Sequence, residues 1–149
     1  MIQNQKRQEL QNKKIVIAYI LTYLGMFVTQ ISVWMTWVTI GSRNRNSFDI
    51  LEAAELFDTT DLALATVFKG VWIFLPAAIF ASSITLVTKY KKSSGWVLIL
   101  SSIIICITGT LTLWFLGLQI GPAMSIAGTG VTIVGTSSIF YLSRKVKKI

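Results

Sequence analysis

Residues 41–61, GSRNRNSFDILEAAELFDTTD, hold Asp49, Glu52, Glu55, Asp58 and Asp61, five of the six acidic residues in the chain. Reading this stretch as a loop decides the fold, because it divides an otherwise apolar or basic sequence into long apolar runs. Those runs cover residues 15–40, 62–87, 96–117 and 122–142. The other two connectors, 88–95 and 118–121, are short, so successive helices must pack side by side. The fold expected is all-α and integral to the membrane. It is an antiparallel four-helix transmembrane bundle in one domain over 1–149, with a short amphipathic helix in the first outer loop.

Composition agrees with that class. Hydrophobic residues make up 53% of the 149 residues and charged ones 13%, and the mean hydropathy is +0.65. A soluble domain of this size carries about twice that share of charge. The net charge of +8 raises the question of nucleic acid, but the positions of the charges answer it. Lys6, Arg7, Lys13 and Lys14 precede the first run, Lys89, Lys91 and Lys92 lie between the second and third, and Arg144, Lys145, Lys147 and Lys148 follow the fourth. Four crossings bring all three clusters to one face, the pattern of the positive-inside rule. No nucleic-acid motif accompanies them. The expected location is the plasma (cytoplasmic) membrane, with the tails 1–14 and 143–149 and the turn 88–95 on the cytoplasmic side.

The chain has no histidine and a single cysteine, Cys106, in the middle of the third run. Bis-histidine haem, histidine-rich zinc sites and Ser–His or Cys–His dyads are thereby excluded. One thiol makes no internal disulfide, and at mid-span it is out of reach of palmitoylation. No enzyme activity, cofactor or metal is expected.

The first run, 26 residues long, exceeds the 7–15 or so residues of a signal-peptide core and is expected to stay as a membrane helix. As one helix it spans about 39 Å against a hydrocarbon core of about 30 Å. Trp34 and Trp37 near its outer end, and Tyr19 and Tyr23 near its inner end, fit interfacial belts. Gln30 is its one strongly polar side chain at depth. In the second run Pro76 is expected to kink the helix, and Gly121-Pro122 to open the fourth, where proline costs no hydrogen bond. Along the fourth run Ser125, Gly128, Thr132 and Gly135 recur at spacings of three, four and three. That puts four small residues on one face, suited to close helix packing in lipid, against the chain's own bundle or another subunit.

Two features invite a functional reading. Residues 47–58 pattern as a short amphipathic helix. Phe48, Leu51, Ala54 and Phe57 lie on one side, and Glu52, Glu55 and Asp58 mostly on the other, with Asp49 in the first turn. Its acidic face disfavours anionic lipid. A cap on the bundle, or a docking surface formed by Phe48, Asp49, Glu52, Glu55 and Asp58, follows more naturally. Arg43 and Arg45 are placed to pair with Asp49 or Glu52, a contact of little energetic weight. The second feature is Lys69, the one charged residue inside an apolar run. Snorkelling to the outer interface, a hydrogen bond to Gln30, or an ion or substrate role are all open to it.

The layout is similar to that of claudin-like tetraspan proteins. Their Trp-Gly-Leu-Trp and paired-cysteine signature is missing after Trp34 and Trp37, however, and the chain is not assigned to them. Small multidrug exporters also have four helices, but they need a membrane-embedded carboxylate, and no apolar run here contains one. The function expected is a non-catalytic accessory or stabilising subunit of a larger membrane complex. Its partners are the lipid bilayer and either a membrane protein or a second copy. The alternative is a small transporter, channel or immunity-type protein acting on a cationic peptide or solute at the outer face.

Overall fold

The computed structural model of the protein describes residues 2–40, 42–46, 62–116 and 118–146, with the backbone alone at 2–4, 6–7, 38, 40, 62–73, 115–116 and 146. Four helices appear among the described residues: α1 (Ile2–Trp34), α2 (Leu62–Thr85), α3 (Lys91–Leu116) and α4 (Ile120–Val146). Three stretches, Gln8–Trp34, Lys91–Trp114 and Ile120–Lys145, are long and apolar enough to cross a membrane. On those two counts the chain reads as a membrane protein. In α2 the segment Phe74–Thr85 is a shorter apolar stretch.

The largest departure from the sequence reading is at the end of α1. The apolar run was expected to stay helical from 15 to 40, but the helix stops at Trp34 and the chain turns into a hairpin. Strand β1 (Val38–Ile40) pairs antiparallel with β2 (Arg43–Arg45) in the register Val38↔Arg45, Thr39↔Asn44, Ile40↔Arg43. Val38, Thr39 and Ile40 are all β-branched, a composition that suits a strand better than a helix end. The Thr39 hydroxyl adds a 3.1 Å bond to Asn44 across the pair. At the other end α1 starts at Ile2, so residues expected to be a short tail continue the helix. A Glu9–Lys13 pair one turn apart (3.0 Å) lies along this part; with both side chains about 70% exposed it adds little stability. At about 1.5 Å per residue the helix is near 50 Å long, more than a bilayer core accommodates.

The helices do not share contacts evenly. The first and last pack most extensively, followed by α3 with α4 and α2 with α3, while α1 and α2 touch little among the described residues. Ala18, Met26, Ile79, Leu86, Leu98, Ile105 and Ile139 make the buried apolar cluster. Among the described residues twelve serines and threonines are buried as well.

Candidate functional site

The seam between α1 and α4 is the best-defined feature of the molecule. On α1 it consists of Ala18, Thr22, Gly25, Thr29 and Ser32, all buried. On α4 it consists of Gly121, Ser125, Gly128, Thr132 and Gly135. Both sets repeat at alternating spacings of four and three, the heptad spacing that keeps one helical face on its neighbour. Glycine is required because the backbones meet. A Cβ on Gly25 would come within 2.6 Å of the Gly128 carbonyl oxygen and the Thr132 amide nitrogen. One on Gly128 would sit 2.7 Å from the Thr29 amide nitrogen and 2.8 Å from the Gly25 carbonyl oxygen. Gly135 meets Thr22 and the Ala18 carbonyl in the same way.

Burying threonine in such a seam costs little here, because each hydroxyl is satisfied by its own helix. Thr22 donates to the Ala18 carbonyl, Thr29 to Gly25 and Thr132 to Gly128, each at 2.9 Å. This back-bonding to the preceding turn satisfies the hydroxyls while their oxygens lie against the glycines of the opposing helix. Ser125, by contrast, buries a hydroxyl with no partner, as do Ser102 and Thr136.

Above the seam the hairpin clamps both helices. Trp37 is completely buried. It is therefore not the interfacial aromatic expected from the sequence, whereas Trp34, 71% exposed, faces outward. The Trp37 indole donates to the Ser32 carbonyl at 2.7 Å, and its backbone amide donates to Arg45 at 2.8 Å. Its ring lies against Gly121, where a Cβ would come within 2.6 Å of Nε1. The Gly121 amide in turn donates to the Thr36 carbonyl at 2.8 Å.

Gln30 reaches α2 through Nε2, which donates to the Pro76 carbonyl at 3.2 Å. Tyr23 makes a parallel link to the Ser83 carbonyl at 2.9 Å. Gln30 thus meets α2 seven residues beyond Lys69, about 10 Å along the helix. Lys69 lies on α2 and its side chain is outside the described residues. The Gln30 contact is a single neutral hydrogen bond between membrane helices. Gln30→Leu is accordingly expected to cost less than about 1 kcal/mol in thermal unfolding in detergent.

The proposed docking surface of Phe48, Asp49, Glu52, Glu55 and Asp58 lies outside the described residues, as do the carboxylates expected to pair with Arg43 and Arg45. Arg43 and Arg45 themselves form β2. Gln119 is half-buried in the connection before α4, and Cys106 is a half-buried thiol on α3. Among the described residues no three His, Cys, Asp or Glu side chains come together.

Two concave surfaces among the described residues bear on function. One is an apolar trough of about 600 Å³ along the flank of α1, lined by Val16, Tyr19, Ile20, Tyr23, Leu24 and Phe27. The other is a cationic cleft where α3 begins and α4 ends. No family model, curated protein or solved structure matches the chain.

Proposed function

We propose that the protein is a non-catalytic accessory or stabilising subunit of a larger membrane complex. The observation that carries this reading is the trough on α1. Ile20, Leu24 and Phe27, between 52% and 64% exposed, line a concave apolar strip on α1, which touches α2 little among the described residues. A neighbouring transmembrane helix fits such a strip by shape and van der Waals contact, the terms that drive association in lipid. The small-residue face of α4, by contrast, is used inside the chain. If the reading holds, wild-type protein extracted in mild detergent elutes with a partner or as a multimer, and Leu24→Trp, which fills the trough, releases a folded monomer. A wild-type monomer that copurifies with nothing counts against the proposal.

The same reading places the chain in the plasma membrane as an antiparallel four-helix bundle, with α2 as the fourth crossing and both termini cytoplasmic. Support comes from the order of contacts along the seam. It runs from Ala18 with Gly135, through Gly25 with Gly128, to Thr36 with Gly121. The charge bias sets the orientation. In a Cys106→Ser background, Ser42→Cys is expected to react with an impermeant maleimide in intact cells. Ser93→Cys, exposed beside the basic turn, is expected to react only after permeabilisation. The reverse pattern would invert the topology.

A further inference from the structure

The positive-inside rule asks only that basic residues lie on the cytoplasmic side. It does not ask them to converge. Here Lys89, Lys91 and Lys92 from the start of α3 and the turn before it, and Arg144 from the last turn of α4, surround a single cleft of about 340 Å³. Its remaining walls are Trp96, Phe140 and Ser143. The cleft is built rather than incidental. Gly95 lets the Phe140 ring lie directly on the α3 backbone, where a Cβ would come within 2.8 Å of Cε1. Trp96 and Phe140 then stand with centroids 6.2 Å apart as an aromatic floor. Lys91 is held in place by donating to the Ser143 hydroxyl at 2.9 Å and by lying over the Tyr19 ring.

Among the described residues no carboxylate lines the cleft. Glu9 is engaged with Lys13, and the other five acids of the sequence, at positions 49–61, lie outside the described residues. Among the described residues the cations therefore have no carboxylate counter-ion there. The cleft also opens onto an apolar track. Trp96, Leu100, Ile103 and Ile107, at spacings of four, three and four along α3, are all exposed. A phosphate held by the cations and an acyl chain laid along this stripe satisfy both halves of the surface.

We propose that this cleft binds the phosphate of an anionic phospholipid, with Lys89, Lys92 and Arg144 contacting the headgroup and Lys91 shaping the site. Basic pockets between membrane helices suit such headgroups, and Trp96 sits where an interfacial aromatic would lie. The acyl track favours a lipid over free phosphate, which shares the headgroup chemistry but leaves the stripe unused. The inference stands on the membrane-spanning character of the chain and is independent of any partner subunit.

The test is native mass spectrometry of the delipidated full chain in mild detergent, titrated with phosphatidylglycerol, phosphatidylcholine or inorganic phosphate. Phosphatidylglycerol is expected to bind about tenfold or more tightly than phosphatidylcholine, and millimolar phosphate is expected not to displace it. Lys92→Gln with Arg144→Gln is expected to abolish the preference. Lys13→Gln with Lys14→Gln, an equal loss of charge outside the cleft, is expected to keep it. The milder Lys89→Gln, on an exposed turn, is expected to weaken the preference about threefold and decides the matter if the double variant does not fold. Equal binding of the two lipids, an equal loss in both double variants, an unchanged Lys89→Gln, or displacement by phosphate would overturn the proposal.

Discussion

Gly128→Leu is expected to be the most damaging single substitution in the chain. Its Cβ would meet the backbone nitrogen of Thr29 and the carbonyl of Gly25 at under 3 Å, and neither atom belongs to a side chain that can turn away. The helices must separate, and the α1–α4 contact, the most extensive among the described residues, is lost along with the close approach it depends on. Overpacking of a well-fitted interior commonly costs about 1–3 kcal/mol, and a four-carbon side chain at a backbone-to-backbone contact belongs at or beyond the upper end. Gly130 supplies the control. It lies two residues further on, with nothing within 4 Å of its Cβ position. Gly130→Leu is expected to be tolerated, with a gain of up to about 1 kcal/mol from helix propensity. Thermal unfolding of both variants in the same detergent separates the two outcomes, and equal stabilities would contradict the seam.

Trp37→Ala is expected to cost about 3–5 kcal/mol, the usual range for truncating a fully buried large aromatic. More than volume is lost. The indole holds a carbonyl near the end of α1, and its ring fills the space that Gly121 leaves at the start of α4. Trp34→Ala, three residues earlier and largely exposed, is expected to shift the unfolding temperature little. The comparison is informative because the two tryptophans are indistinguishable by hydropathy. Trp37→Phe, which keeps most of the ring and loses the N–H, is expected to fall between them.

Those tryptophans also show where the sequence was legible and where it was not. Long apolar runs identify membrane helices because the bilayer sets their length and leaves backbone polar groups no alternative to internal bonding. That physics located α1, α3 and α4. It does not locate the end of a helix inside an apolar run. Val38–Ile40 is as hydrophobic as the residues before it, and only its β-branching distinguishes strand from helix. Trp37 was read as interfacial because a tryptophan near a span end usually is, and its burial depends on a hairpin the hydropathy does not reveal. On α4 the recurrence of Ser125, Gly128, Thr132 and Gly135 was visible. The matching series Ala18, Thr22, Gly25, Thr29 and Ser32 on α1 was equally available as spacing, but it lies among bulky residues that draw the eye to a generic span. The basic clusters were legible as a charge bias and not as a cleft, since convergence of Arg144 on Lys92 is a matter of tertiary contact.

The seam joins the first helix of the chain to the last. Some 86 residues separate Trp34 from Ile120, and synthesis at about 5–20 residues per second takes roughly 4–17 s to cover them. For that interval Thr22, Gly25 and Thr29 of α1 have been made and the α4 residues they pack against have not. The nascent chain thus presents a ready helix-pairing face to whatever else is nearby, and only completion of α4 withdraws it. Premature termination between Trp34 and Ile120 would leave that face permanently on offer, making such truncated products of this small protein stickier than the finished one.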